Sequence, residues 1–246
     1  MSTSPHRRHP AAPGDPGPGV HVVLAVKNLA GAKSRLASAL PGSRRADLVV
    51  AMLLDTATAA ASSSFVVGWS VVTPDPRVAD AAARAGATTV SEPASTVSEP
   101  ASPGGGGIDG LNRALSAAHD AVRGSGVDVV ALAADLPALT TAEFDAAYRA
   151  STPSGRSVVV DHTGSGTSAL VVRGTGVDLH PLFGPDSAAR HVSSGAVALT
   201  GPWPGLRLDV DTEDDVRRAV ALGVGDRTRA VLTNAGWPVS EHRPLQ

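Results

Sequence analysis

Short runs of β-branched residues alternate in this chain with alanine-rich stretches of helical length, and this alternation restricts the fold more than any other feature. The first run is HVVLAV (21–26), followed by a helix-length stretch at roughly 43–61. The second is FVVGWSVVT (65–73), followed by one at roughly 77–85 and a short strand at 87–90. Such repeats are typical of strand-helix-strand units in a largely parallel sheet. The sequence therefore predicts an α/β fold in which helices flank a mostly parallel sheet.

The second half of the chain continues the pattern less regularly. A helix at roughly 109–123 precedes the strand VDVVALAA (127–134), and the next helix begins near Thr140, which has the spacing of a capping box with Glu143. The remaining expected elements are strands SVVVD (157–161) and TSALVVR (167–173) around a glycine-rich turn, a short helix near 186–193, strands AVALT (196–200) and LRLDVD (206–211), and two final helices.

Composition excludes several classes of function. The formal net charge is −2 and the pI is about 6.4, which argues against nucleic acid or an anionic membrane as the main partner. The chain has no cysteine, so disulfides, thiolate metal sites and a cysteine nucleophile are absent. No apolar run approaches the ~20 residues of a membrane span. The first 20 residues lack the apolar stretch of a secretory signal, and we expect a cytoplasmic protein.

Low-complexity segments indicate the domain organisation. Residues 1–20 are rich in Pro and Gly and read as a disordered arm, and residues 235–246 as a C-terminal tail. Between them we expect one domain, residues 21–234. Residues 91–107 form a flexible low-complexity loop within it, because VSEPAST is repeated as VSEPASP at 90–103 and four glycines follow.

The loop KNLAGAKSRL (27–36) is the first candidate for chemistry. It contains Lys27, Lys33 and Arg35, with Gly31 to relax the backbone, and the chain has no other lysine. A basic, glycine-containing loop between a strand and a helix is suited to holding a triphosphate. It is not a P-loop, which requires Gly directly before the Lys. The alternative interpretation is a solvated turn.

Carboxylates at the ends of predicted strands are the second candidate. Asp135 follows the strand at 127–134, and Thr140 already provides the cap of the next helix, so Asp135 is free to bind Mg²⁺. In LRLDVD, alternation places Asp209 and Asp211 on one face, and Asp211 is well placed to cap the following helix. Asp209 then remains as the second metal ligand. Helix capping is the alternative for any such Asp, including Asp75 after the second strand.

The segment HPLFGPDSAARH (180–191) is the third candidate. Backbone N–H groups and a hydroxyl at the start of a short helix can bind an anion, although capping by Asp186 or Ser187 explains the pattern equally well. In TGSGTS (163–168), Thr167 opens a strand beside glycines. The sequence has no serine, histidine and aspartate set with a nucleophile-elbow pattern.

Seven motifs in order give the chain a family resemblance. The motifs are AVKNLAGAKSRL (25–36), TPD (73–75), GLNRAL (110–115), ADLPAL (134–139), GTSAL (166–170), FGPDSAARH (183–191) and GAVALTGPWPGLRLDVDT (195–212). With these motifs the chain resembles, from about residue 20 to 230, the CofC/FbiD family, guanylyltransferases that make the phosphodiester precursor of the deazaflavin coenzyme F-420.

The resemblance implies a fold and a set of ligands. The fold is a MobA-like nucleotidyltransferase of the glycosyltransferase-A type, the nucleotide is GTP, the cofactor is Mg²⁺, and the acceptor is phosphoenolpyruvate or 2-phospho-L-lactate. It places metal on Asp135 and Asp209. It places the acceptor on Thr167, Gly184 and Ser187, although this chain has GSGTS where GTGT is usual.

The nucleotide and the reaction complete the hypothesis. Lys27, Lys33 and Arg35 are assigned to both GTP binding and catalysis, and Asp75 and Asn112 to GTP binding. The predicted reaction transfers GMP from GTP to the phosphate of phosphoenolpyruvate and releases pyrophosphate. The alternatives are 2-phospho-L-lactate as acceptor, another MobA-like nucleotidyltransferase, and a nucleotide-binding regulator without turnover. The oligomeric state stays open, with a homodimer as one option.

Overall fold

The computed structural model describes residues 19–90 and 106–239, which form one seven-stranded sheet with flanking helices. The strands are β1 Val20–Ala25, β2 Val66–Val72, β3 Thr88–Val90, β4 Asp128–Leu132, β5 Gly155–Val160, β6 Thr167–Arg173 and β7 Val197–Leu199. The helices are α1 Gly42–Ala61, α2 Pro76–Arg84, α3 Gly106–Val122, α4 Thr141–Ala150, α5 Ser187–Ser193, α6 Pro204–Arg207, α7 Glu213–Leu222 and α8 Asp226–Asn234.

Three sequence-based expectations fall mostly outside the described residues. These are the disordered arm at 1–20, the flexible loop at 91–107 and the tail at 235–246, and they stay predictions. No helix in the described part of the chain combines the length and the apolar character that a membrane span requires.

The strand order of the sheet is β3-β2-β1-β4-β6-β5-β7, and every strand except β6 runs in the same direction. This confirms the expected mostly parallel sheet. The antiparallel strand β6 lies between β4 and β5, with Leu132 of β4 opposite Ala169 of β6. The start of β6 therefore lies at the same edge of the sheet as the carboxyl ends of β1, β4 and β5, which we call the site edge.

The central strands are apolar on both faces because helices cover both sides of the sheet. In β1, Val20, Val22 and Leu24 pack into the core shared with α1, α4, α7 and α8, whereas Val23 packs on the opposite side with α3. All four of these side chains are fully buried. Strands buried on both faces read as continuous apolar runs, and that is the pattern of HVVLAV in the sequence.

The observed elements match the predicted ones closely in the first two thirds of the chain. The capping box at α4 is present, with the Thr140 hydroxyl accepting from the Glu143 N–H and the Glu143 carboxylate accepting from the Thr140 N–H. The predicted strand LRLDVD (206–211) is wrong. Pro204 begins the short helix α6, and the residues after it run extended outside the sheet. The alternation within 206–211 nevertheless holds, because Leu206, Leu208 and Val210 are buried.

A buried polar network fixes the opposite edge of the sheet, where β4 begins and β6 ends. The Asp128 carboxylate accepts hydrogen bonds from the Tyr148 hydroxyl at 2.8 Å, from Arg173 Nε at 2.9 Å and from the Gly174 N–H at 3.0 Å. Arg173 also lies over the Tyr148 ring, 4.5 Å from its centroid. Three hydrogen bonds thereby satisfy the buried carboxylate, as the burial of a charged group requires.

We predict that Asp128→Ala lowers the free energy of unfolding by about 3–5 kcal/mol, because it leaves the partly buried Arg173 charge and the Tyr148 hydroxyl without their shared partner. Chemical denaturation followed by circular dichroism measures the change. The control is Asp178→Ala, which removes an exposed carboxylate paired with Arg123 and should change stability by about 0.5 kcal/mol or less. Equal effects of the two substitutions would contradict the structural role of Asp128.

Candidate active site

An open cavity of about 640 Å³ lies at the site edge. It is the place where the polar ends of several strands and loops meet, as expected for ligand sites of open α/β sheets. Seven of the ten residues expected from the sequence line it: Lys27, Lys33, Asp135, Thr167, Gly184, Ser187 and Asp209. The remaining three, Arg35, Asp75 and Asn112, lie beside the elements that form its walls.

The basic loop forms one wall of the cavity. Lys27 is exposed, whereas the side chain of Lys33 is 11% exposed and points at the carboxylates. Lys33 has a left-handed backbone with φ of 52°, and Gly31 has φ of 80°, so the loop turns sharply between them. Asp75 holds the start of the loop, since its carboxylate accepts from the Leu29 N–H at 3.0 Å.

Lys33 is the counter-ion of two carboxylates. Its ammonium group donates to Asp135 and, at 2.8 Å, to Asp211. Burial opposes the charge of Lys33, but the charges of Asp135 and Asp211 outweigh burial and raise its pKa. The two ion pairs connect the basic loop to the end of β4 and to the extended segment after α6.

The segment 208–211 is held against the end of β4 by backbone contacts. The Val210 N–H donates to the Asp135 carbonyl at 3.1 Å, and this contact places Asp209 beside Asp135. Burial, and then the charge of Asp135, raise the pKa of Asp209 to about 6. The neighbouring charges of Asp161 and Asp211 act in the same direction. Negative charge is therefore concentrated around Asp209 beyond what Lys33 neutralises.

Asp161 and His162, which sequence reasoning missed, follow β5 at the same edge. The Asp161 carboxylate accepts from the Gly164 N–H at 2.8 Å and from the Thr163 hydroxyl at 2.9 Å, so it stabilises the glycine-rich turn. A Cβ at Gly166 would lie 2.3 Å from this carboxylate, which explains the glycine there. The only sequence signal for Asp161 was its place at a strand end.

His162 connects a predicted metal ligand to the C-terminal helices. Its Nδ1 lies 3.2 Å from Asp209 Oδ1, and its Nε2 lies 3.3 Å from a carboxylate oxygen of Asp215. The backbone N–H of His162 also donates to the Arg207 carbonyl at 2.7 Å. The orientation of Asp209 is thereby coupled to the first turn of α7. The pairing is between residues 47 positions apart, so no local motif in the sequence announced it.

Another wall of the cavity contains hydroxyl groups and glycines. Thr167 begins β6, and Gly184 and Ser187 lie around the start of α5. The Ala188 N–H donates to the Ser165 carbonyl at 3.0 Å, which joins this wall to the glycine-rich turn. Asn112 of α3 makes two hydrogen bonds to the backbone of Phe183, at 2.9 and 3.2 Å, and so holds the FGPDS segment in place.

Two helix caps differ from expectation. Asp211 does not cap α7: Thr212 is the cap and forms a capping box with Asp215, which leaves Asp211 to pair with Lys33. The sequence prediction erred because Thr212 and Asp215 have the same cap-and-third-residue spacing that identified α4. Asp186 stands at the cap position of α5, but its side chain makes no capping hydrogen bond there.

Asp75 has the capping role that was weighed as its alternative. Besides the Leu29 N–H, its carboxylate accepts from the Arg77 N–H at 2.9 Å at the start of α2. Arg35 has a side chain that is 75% exposed and lies 3.9 Å from Asp211. The structure thus gives Asp75 a supporting position and leaves Arg35 at the rim.

The carboxylates fit a hard divalent cation. Asp135 and Asp209 are partly exposed to the cavity, with side chains 25% and 29% accessible, and burial and then the charge of Asp135 raise the pKa of Asp209. Mg²⁺ commonly uses one or two carboxylates, with waters and substrate phosphates as the other ligands. No group of three or more acidic, His or Cys side chains arranged to hold a metal alone occurs among the described residues. The donor set is therefore one that suits Mg²⁺ shared with a phosphate.

Known proteins resemble this chain over most of its length. The family model described as "Guanylyl transferase CofC like" matches residues 20–245. A protein of Nocardia farcinica (strain IFM 10152) named phosphoenolpyruvate guanylyltransferase is 49% identical over 229 residues, 92% of this chain and 96% of that protein. A protein of Rhodococcus opacus (strain B4) with the same name is 51% identical over 217 residues, 87% of this chain and 90% of that protein.

Solved structures share the fold at low identity. A protein of Desulfovibrio desulfuricans G20 assigned to the nucleotide-diphospho-sugar transferases matches with a TM-score of 0.60 and 14% identity, covering 88% of this chain and 95% of that one. A nucleotidyl transferase of Methanothermobacter thermautotroptrophicus matches with a TM-score of 0.53 and 16% identity, covering 89% of this chain and all of that one. These likenesses agree with the expected nucleotidyltransferase fold.

The raised pKa of Asp209 leads to a prediction about stability. Its folded-state pKa of about 6 lies above the ordinary value of 3.8, so the folded protein binds this proton more tightly than the unfolded chain. The resulting destabilisation is absent below about pH 4, grows as the pH rises from 4 to 6, and is complete above pH 6. We predict that Asp209→Asn stabilises the metal-free protein at pH 7.5 by about 1–2 kcal/mol.

Denaturant unfolding at pH 7.5 and pH 4.5 in the presence of a chelator measures this effect. The stabilisation by Asp209→Asn should shrink at pH 4.5, where the native carboxyl is protonated. Asp178→Asn, which removes a carboxylate from an exposed ion pair, serves as the control and should show no such dependence. A destabilised Asp209→Asn protein at pH 7.5 would contradict the charge argument.

Proposed function

We propose, since the chain belongs to the family of CofC-like guanylyl transferases, that it transfers GMP from GTP to the phosphate of phosphoenolpyruvate. The second product is pyrophosphate. The family places this reaction in the biosynthesis of coenzyme F-420. This chain aligns with 96% and 90% of the length of the two relatives named phosphoenolpyruvate guanylyltransferase. We therefore expect the same activity of it.

One observation carries the proposal: three kinds of group face one cavity. Lys27 and Lys33 supply positive charge for phosphates, Asp135 and Asp209 supply oxygen ligands, and Thr167 begins the wall assigned to the acceptor. A reaction between two anions requires each of these functions in one place. A site that only bound a nucleotide would not need the carboxylate pair.

The chemistry requires little proton transfer. An oxygen of the acceptor phosphate attacks the α-phosphorus of GTP, a new P–O bond forms, and the bond from the α-phosphorus to the bridging oxygen of pyrophosphate breaks. A phosphate monoester with a second pKa near 6 is already ionised at neutral pH, so no general base is required. His191 and His162 are accordingly not assigned to proton abstraction.

The chain's own residues position the reactants and balance their charge. Asp135 and Asp209 would hold Mg²⁺, which when bound neutralises charge on the phosphates of the transferring nucleotide. Lys27 and Lys33 stabilise negative charge that develops on the phosphates, and Arg35 adds charge at the rim. Thr167, Gly184 and Ser187 bind the acceptor.

Asp75 and Asn112 support the nucleotide from behind the cavity walls. Asp75 holds the basic loop through the Leu29 N–H, and Asn112 holds the Phe183 backbone. We propose that their effect on GTP binding acts through these two segments. The substitution Asn112→Ala should therefore displace the FGPDS segment (183–187) and weaken the binding of the acceptor, through Gly184 and Ser187, as well as that of GTP.

A pyrophosphate-release assay with purified protein, GTP and Mg²⁺ tests the function. Parallel reactions with phosphoenolpyruvate and with 2-phospho-L-lactate compare the two acceptors, which differ by a methylidene against a CH–CH₃ group. Turnover with phosphoenolpyruvate is the expected result, and faster turnover with 2-phospho-L-lactate would change the acceptor. Folded protein that releases pyrophosphate with neither acceptor would point instead to a nucleotide-binding regulator.

We predict that Asp135→Asn lowers kcat by ~10²–10³ or more, because losing one group that stabilises the transition-state charge typically costs that much. The variant should remain folded, as judged by its circular dichroism spectrum. Asp47→Asn, an exposed carboxylate paired with Arg77, is the matched control and should keep normal turnover. Near-normal activity of Asp135→Asn would refute the metal assignment.

A further inference from the structure

A completely buried histidine lies behind the wall of the cavity that contains Thr167, Gly184 and Ser187, which we call the acceptor wall. His191 is on α5, has no exposed surface, and is not a reacting group in the proposed mechanism. Its Nδ1 lies 3.0 Å from the hydroxyl oxygen of Thr167, and its Nε2 accepts from the Leu182 N–H at 2.8 Å. The imidazole thus bridges the backbone before the FGPDS segment and a side chain that lines the cavity.

The polarity of this chain of hydrogen bonds is fixed by its first member. A backbone N–H can only donate, so the Nε2 that faces Leu182 must carry a lone pair. In neutral imidazole the other nitrogen then carries the proton. Nδ1–H of His191 therefore donates to the Thr167 oxygen, and the hydroxyl hydrogen of Thr167 must point away from the ring.

The surroundings hold the imidazole in this form. Burial, and then the charges of Arg156 and Arg190, lower the pKa of His191 to about 4, which keeps the ring neutral near pH 7. Arg190 donates to the Leu182 carbonyl at 2.9 Å, and the Phe183 ring stacks edge-on at a centroid distance of 5.2 Å. A second proton, on Nε2, would break the hydrogen bond that this nitrogen accepts from the Leu182 N–H.

We propose that His191 is a positioning residue: its Nδ1–H occupies one lone pair of the Thr167 oxygen and directs the hydroxyl hydrogen away from the ring, so that this hydrogen is donated to an anionic oxygen of the acceptor substrate. The proposal rests on the proposed function, since it assigns the acceptor to the Thr167 wall. It also implies a preference: the position in contact with Thr167 favours a carboxylate or phosphate oxygen, which accepts from this hydroxyl. A ring without the Nδ1 proton would itself accept the hydroxyl hydrogen of Thr167.

The protonation state of His191 can be measured without any assay of activity. Nitrogen-15 NMR of the wild-type protein at pH 7, with the His191 resonances assigned by their loss in His191→Phe, distinguishes the two neutral tautomers and the cation. The expected result is a neutral ring protonated on Nδ1. A ring protonated on Nε2, or on both nitrogens, overturns the proposal, and this outcome does not depend on which reaction the protein catalyses.

Steady-state kinetics then test the connection to Thr167. His191→Phe retains a buried ring but removes the Nδ1 donor, and Thr167→Val removes the hydroxyl. Each is expected to raise the KM for phosphoenolpyruvate by about 10-fold, the size of a hydrogen bond to a charged group, with the KM for GTP changed less than about twofold. In the Thr167→Val background, His191→Phe should cause no further rise, because its effect passes through that hydroxyl.

Two further variants separate positioning from general damage. His191→Asn keeps an amide donor near the Nδ1 position and should recover most of the acceptor KM. His119→Phe changes another buried histidine, on α3, and should alter neither KM. Equal rises in both KM values, or an undiminished effect of His191→Phe on top of Thr167→Val, would overturn the proposal. Wild-type protein inactive with GTP and phosphoenolpyruvate would instead refute the proposed function, and the NMR result would still decide the tautomer.

Discussion

The ion pairs of Lys33 with Asp135 and Asp211 are the interaction on which the architecture of the cavity depends. Carboxylates brought together at the end of a sheet repel one another, and burial together with this repulsion raises the pKa of Asp209 to about 6. Lys33 offsets part of this repulsion while it closes the basic loop onto the end of β4. The contacts that hold these charges together therefore also join three separate segments of the chain.

The topology of the sheet explains why these segments meet. A fully parallel sheet would place the start of β6 at the edge opposite the carboxyl ends of β1 and β4. Because β6 is antiparallel, Thr167 at its start lies at the site edge instead, next to the end of β4. The reversed strand brings Thr167 to the edge that already holds the basic loop and the carboxylates. The buried Asp128 network at the other edge contributes stability away from the chemistry.

Sequence patterns predicted the elements better than the contacts between them. The apolar runs of β1 and β4 reflect burial on both faces of the sheet, and the capping box at Thr140 is a local hydrogen-bonding motif. Both can be recognised in a single sequence. LRLDVD was mistaken for a strand because burial alternates along 206–211. The segment belongs to no strand of the sheet, and its Val210 N–H donates to the carbonyl of Asp135, just beyond the end of β4. Alternation records which side chains are buried, and it does not say whether the backbone joins a sheet.

The roles of two histidines at the site could not be predicted from the sequence, for the same physical reason. His162 touches Asp209, and His191 touches Thr167 across 24 positions of sequence, so each role exists only after the chain has folded. A histidine in a sequence is compatible with a catalytic base, a metal ligand or a structural bridge, and the donors around it decide among these. For His191 the deciding group is the Leu182 N–H, a backbone donor that every non-proline residue carries and that no side-chain motif can reveal. In our proposal, the preference of the acceptor wall is accordingly set by backbone geometry, transmitted through one imidazole to one hydroxyl.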